Sequence, residues 1–346
     1  MKPERSAMVH GGILLVAAVC AFQMWTREEV GAGPSRRVEA WAGTGEQVQR
    51  IEWESERKVV LEARQDAVGR YFVGTMQKTL DLPPKRDDPK ALQSVSKSED
   101  GGAKKAKGKQ ETIRFISVES ASHLADSLAP LKALRFVGQV EDARLGEFGL
   151  DQPKGTLRVT VANKAHTLVM GGPTPGGSDH YAKEVETGAV YAVQGDMGHK
   201  LEFADSKMLE RNLHDFESKE VTRVSIGQGE KHRELVAVPG KQNAWADPST
   251  PDTQDETAGN WISKLNVLAV SEFFEQPPEP LGQDALVVRV DYYAGRKSRG
   301  FLELYRLSGD EKESDFLVRT EYLRWYGKLR KGSAGQLEQD LGSVLK

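Results

Sequence analysis

The sequence predicts an α+β protein: an N-terminal transmembrane helix followed by two similar modules, each an antiparallel sheet with helices on one face. Three observations carry that expectation. Leu157, Val159 and Val161 alternate with polar residues, and the pattern resumes in segments as far as Gln194, which is the period of half-buried strands. Apolar positions of the first half recur in the second. Ala7 to Trp25 is an apolar run that as a helix would span about 28 Å, close to the roughly 30 Å of a bilayer's hydrocarbon.

Lys2 and Arg5 precede that run, and Arg27-Glu28-Glu29 follow it. Val19-Cys20-Ala21 is a poor cleavage site, and Val19 stands where a lipoprotein signal wants a small residue. An uncleaved anchor fits best. Lys2 and Arg5 place the N-terminus inside, while Arg27, Arg36 and Arg37 count against it. Cys20 is the single cysteine, which rules out an internal disulfide or a cysteine zinc site. The formal net charge of -3 offers no basic excess for nucleic acid, so none is expected as a partner.

Residues 1–27 are read as tail and anchor, and 28–45 as a linker rich in Gly, Pro, Ser and charge. The first module takes 46–217. Val48 to Ile51, Lys58 to Glu62 and Arg70 to Val73 are its opening strands. A polar insert at 77–112, with Pro83-Pro84 and a lysine tract ending at Lys109, is too polar to join a core and is expected to be disordered. Ser117 to Gly138 predicts a helix, with Leu124, Leu128, Leu131 and Leu134 as its apolar stripe, Ser117 as its cap and Pro130 as an awkward interior residue. A meander follows, with turns at Asn163-Lys164, Gly171 to Gly177 and Thr187-Gly188, and a closing helix runs from Asp205 to Leu213.

The second module, 218–346, ends on a helix from Ala334 to Leu345. Val48, Ile51 and Phe72 match Val221, Val224 and Trp245 at one offset, while Leu128, Leu131 and Phe136 match Leu265, Leu268 and Phe273 at a smaller one. The difference between the offsets equals the length of the polar insert, which ties the duplication and the insertion together. Arg158-Val159 aligns with Arg289-Val290, Tyr181 with Phe316 and Tyr191 with Tyr326.

Candidate chemistry is sparse. Asp179-His180 and His199 flank the Gly-rich turn, but a metal or acid–base site there needs convergence that spacing does not supply, and structural roles are expected. Gly171 to Gly177 lacks the Lys-Ser/Thr ending of a phosphate loop. Tyr292-Tyr293, Tyr305, Tyr322 and Trp325-Tyr326 suit either a ligand-binding face or cross-strand packing. No catalytic, cofactor-binding or metal residue is assigned, and no cofactor is expected.

Phe148-Gly-Leu-Asp-Gln-Pro153, Gly171-Gly172, His180-Tyr181 and Val190-Tyr191-Ala-Val193 give the chain a family resemblance. It resembles the bacterial family called domain of unknown function 4340 over about Val48 to Phe216, and more diffusely beyond. The resemblance implies a single-pass protein of the bacterial inner membrane with a periplasmic C-terminal domain. It also implies an envelope protein partner, some relatives sitting beside gliding-type ABC transport systems, and it supplies no catalytic residue. The expectation is a non-catalytic envelope scaffold or accessory partner. A periplasmic binding module for glycan, peptide or lipid is the alternative, and an envelope hydrolase a third reading. The identity of any small-molecule ligand stays open.

Overall fold

The computed structural model describes residues 37–80, 109–307, 315–330, 332 and 334–346. Its strands begin with β1 (Val38–Trp41), β2 (Val48–Glu54), β3 (Lys58–Gln65), β4 (Arg70–Leu80) and β5 (Lys109–Ser117). The helix Glu119–Leu128 leads to β6 (Leu131–Ala133) and β7 (Arg135–Gln139). The meander is β8 (Gly155–Val161), β9 (Lys164–Pro173), β10 (Asp179–Glu184) and β11 (Ala189–Gln194), followed by short helices Asp196–Glu202 and Ala204–Lys207. The second half has β12 (Arg223–Gln228), β13 (Lys231–Ala237) and β14 (Trp245–Ala246), the helix Glu256–Asn266 and β15 (Val270–Phe274). It finishes with β16 (Leu286–Ala294), β17 (Lys297–Arg306), β18 (Phe316–Thr320), β19 (Tyr326–Leu329) and the helix Gly335–Val344.

Two large antiparallel sheets result, ordered β5-β4-β3-β2-β8-β9-β10-β11-β7 and β14-β13-β12-β16-β17-β18-β19-β15. Strand for strand the orders coincide, with β5 as the extra member of the first. In each, a leading wing joins the meander through one long-range pair, β2 with β8 and β12 with β16. The strand after the helix then closes the far end, β7 on β11 and β15 on β19. Alternation sets which face is inside: Leu157, Val159, Val224 and Val290 are fully buried, and one apolar core runs through both halves. The outer faces carry ion pairs within and across strands, Arg50 with Glu52 on its own strand and Glu62 on the next, and Arg289 with Asp291 on its own strand and Glu303 on the next.

The α+β expectation is corrected. Among the described residues the chain is mostly antiparallel sheet, 46% strand against 20% helix. Three segments account for the excess of strand. Pro130 restricts Ala129 to extended backbone (φ -143, ψ 103), so the helix ends at Leu128 and Leu131 starts a strand. Residues at both ends of the polar insert, Gln77 to Leu80 and Lys109 to Thr112, extend the β4–β5 ribbon in register, while residues 81–108 lie outside the described part. Val38–Trp41, read as linker, pairs with β6, and the Trp41 indole donates to the Leu128 carbonyl at 2.7 Å, satisfying the helix C-terminus. No helix among the described residues is long and apolar enough to cross a membrane. The expected anchor, Ala7 to Trp25, lies outside them.

Candidate functional site

The chain passes from the first half to the second along residues 209–221, and a cavity of about 630 Å³ opens beside this crossing. Thr320 Oγ1 donates to the Leu213 carbonyl at 2.7 Å and anchors the crossing to the second sheet. His214 then lies 3.0 Å, through Nδ1, from Glu321 Oε1. Glu321 in turn accepts the Phe301 N–H at 2.7 Å. Only glycine permits this, because a Cβ on Gly300 would stand 2.3 Å from the Glu321 carboxyl. The carboxylate accepts from Nδ1–H, which fixes the orientation of the ring.

Aromatic rings hold the imidazole in place. Phe216 stacks on it at 4.6 Å between centroids, and Tyr292 meets it edge-on at 4.7 Å. Three polar atoms in this wall are buried without a hydrogen-bond partner: His214 Nε2, Trp245 Nε1 and the Tyr292 hydroxyl. Leaving such a group unmet costs about 1–3 kcal/mol, so three in one wall is an unusual concentration. Burial, with the Glu321 and Asp291 charges, pushes the Tyr292 phenol up, and burial with the Glu210 and Glu119 charges does the same for Tyr322. Both phenols therefore stay protonated. Charged, polar and aromatic side chains line the cavity together, Glu119, Arg211 and Asn212 beside Trp245 and Tyr322.

The aromatic run of the second half alternates between inside and outside. Tyr292, Tyr322 and Trp325 are buried, whereas Tyr293, Tyr305 and Tyr326 lie half-buried, Tyr293 under Arg223 and Tyr305 edge-on to Tyr326. Burial and the Glu303 carboxylate raise the Tyr305 phenol to about 12. No continuous aromatic platform forms from these residues.

His180 and His199 line one smaller cavity of about 320 Å³. His180 sits on β10 and His199 on the Asp196–Glu202 helix, against the Phe203 ring at 4.9 Å. Lys154 Nζ lies 2.9 Å from His180 Nε2, a partner that spacing did not suggest. Burial and the Lys154 charge hold His180 below its ordinary 6.5. As pH falls through 6.5 the unfolded chain takes up this proton before the folded chain does, so stability should fall across that window. Urea midpoints measured against pH should lose part of that acid slope in His180→Gln. An unchanged slope would exclude His180 as a source. Among the described residues, no group of three or more His, Cys, Asp or Glu is placed to hold a metal ion.

Fold and cavities together define a class: a mostly antiparallel, two-sheet protein with a polar cleft at the crossing between its halves. Residues 116–285 match the family model described as Domain of unknown function (DUF4340), the family that the Phe148–Pro153 motif resembles. The match starts later than Val48 and runs past Phe216 through β15, so it takes in most of the cleft. No curated protein and no solved structure matches the chain.

Proposed function

We propose that this is a non-catalytic binding component of the bacterial cell envelope, held at the inner membrane through its N-terminal apolar run with the folded part in the periplasm. It acts as scaffold or accessory to a protein partner, and the family resemblance favours an ABC-type transport or gliding-type system. The observation that carries the partner reading is β7. It ends the order of the first sheet, bonded to β11 on one side and to no described strand on the other, and its Phe136 is 50% exposed. An open edge with an aromatic anchor suits strand addition by an extended segment of another protein. The periplasmic binding-module reading is favoured by a different observation, a cleft of about 630 Å³ lined by charged, polar and aromatic side chains together.

Crosslinked membranes carrying Phe136→Glu should lose partner recovery, while Ser218→Trp, which fills the cleft mouth, should keep it. Loss with Ser218→Trp and normal recovery with Phe136→Glu would replace the first reading by the second.

A further inference from the structure

We infer that the cavity between the first sheet and the Asp196–Glu202 helix binds a compact organic anion, a carboxylate carrying an apolar body. Its walls divide into a cationic end and an apolar end. Lys154 and His180 form the first, and Trp53 and Met170 the second. At about 320 Å³ the space falls at the small end of ligand sites.

The cationic end has a lysine with no carboxylate partner among the described residues. Lys154 donates to His180 Nε2. With Nε2 accepting, neutral His180 carries its proton on Nδ1, which is buried with no acceptor. The cavity's own carboxylate, Glu202, is already engaged. Its Oε2 accepts from the Trp53 indole at 2.7 Å and from Ser55 Oγ at 2.5 Å, and Arg57 stands 4.0 Å from Oε1. An incoming carboxylate therefore meets a solvent-exposed ammonium with no carboxylate partner, beside a carboxylate whose Oε2 is held by Trp53 and Ser55.

The apolar end is shaped by two glycines. A Cβ on Gly195 would stand 2.6 Å from His180 Nδ1, and one on Gly198 would stand 3.0 Å from the Trp53 ring. Their absence lets the helix close over the imidazole and lie against the indole, with Met170 completing the wall. A flat apolar body fits against Trp53 while its carboxylate reaches Lys154.

The test is calorimetric titration of the full-length protein in detergent with benzoate, benzamide and inorganic phosphate. Benzoate should bind, benzamide should bind at least about tenfold more weakly, and Lys154→Met should weaken benzoate by a similar factor. Lys154 is exposed, so this variant should melt with the parent. Met170→Trp, which fills the apolar end, should also lose benzoate. Absence of benzoate binding at millimolar concentration, equal binding of benzamide, or unchanged affinity in Lys154→Met would each overturn the site. Phosphate binding as tightly as benzoate would overturn the requirement for an apolar body.

Discussion

Glu210→Ala is expected to lower the free energy of unfolding by about 3 kcal/mol, read from urea denaturation. The side chain is 5% exposed and accepts four backbone N–H groups. Oε2 takes Val118 and Glu119, each at 3.2 Å, and Oε1 takes Arg211 and Asn212, each at 2.9 Å. The first two belong to the start of the Glu119–Leu128 helix, where free N–H groups and the helix dipole favour a negative charge. The Glu210 N–H also donates to the Ile116 carbonyl at 2.8 Å, so one residue ties the crossing segment to the end of β5. Alanine leaves all four donors without that acceptor. Glu210→Gln keeps one acceptor oxygen and should fall between. A loss below about 1 kcal/mol in Glu210→Ala would mean that these donors find other partners on relaxation.

The second large effect is expected at Gly149. It ends a 3-10 turn at φ +62 and packs directly on the Gly171-Gly172 backbone. Alanine there carries the left-handed penalty of about 1–2 kcal/mol. Its Cβ would also stand 2.7 Å from the Gly172 nitrogen, and backbone cannot give way as a side-chain tip can. A Cβ on Gly171 would lie 2.5 Å from the Phe148 carbonyl oxygen. Gly149→Ala and Gly171→Ala should each lower the melting temperature clearly, and their double variant should lose less than the sum, because both break one contact. Full additivity would separate the two glycines. The interlock seats Phe148 edge-on against Tyr181 at 5.0 Å, over the small cluster of Leu150, Tyr181 and Val190.

That interlock explains why the motif was legible. The meander follows directly from alternation and turn chemistry: the turn expected at Asn163-Lys164 forms at Ala162 and Asn163, both at positive φ, whereas Gly171, expected to open a turn, lies within β9. Local signals reach as far as local structure. The helix from Ser117 was read too long because leucines at helical spacing continued past Pro130, where a residue before proline leaves the helical region. Ser117 was read as its cap, but Ser117 Oγ is buried without a partner and Glu210 does that work from another segment. The cleft was equally hidden. His214, Tyr292, Gly300 and Glu321 meet only through tertiary packing, and Gly300 within a strand was the one local sign of a close approach. Lys154 next to His180 left no mark in spacing at all.

The strand order also sets a timetable. β2 completes its neighbours only when β8 arrives, about a hundred residues later, and β7 waits for β11. At roughly 5–20 residues per second of synthesis, the inner edge of β2 stays open for about 5–20 s while β3 and β4 are already available to pair. The first half therefore emerges as a growing antiparallel wing with one unsealed side. It can become a finished sheet only after Gln194 has left the ribosome. A chain interrupted between Gln139 and Gly155 presents both β2 and β7 as unpaired edges at once, which makes the length of the nascent chain itself a determinant of whether it stays monomeric.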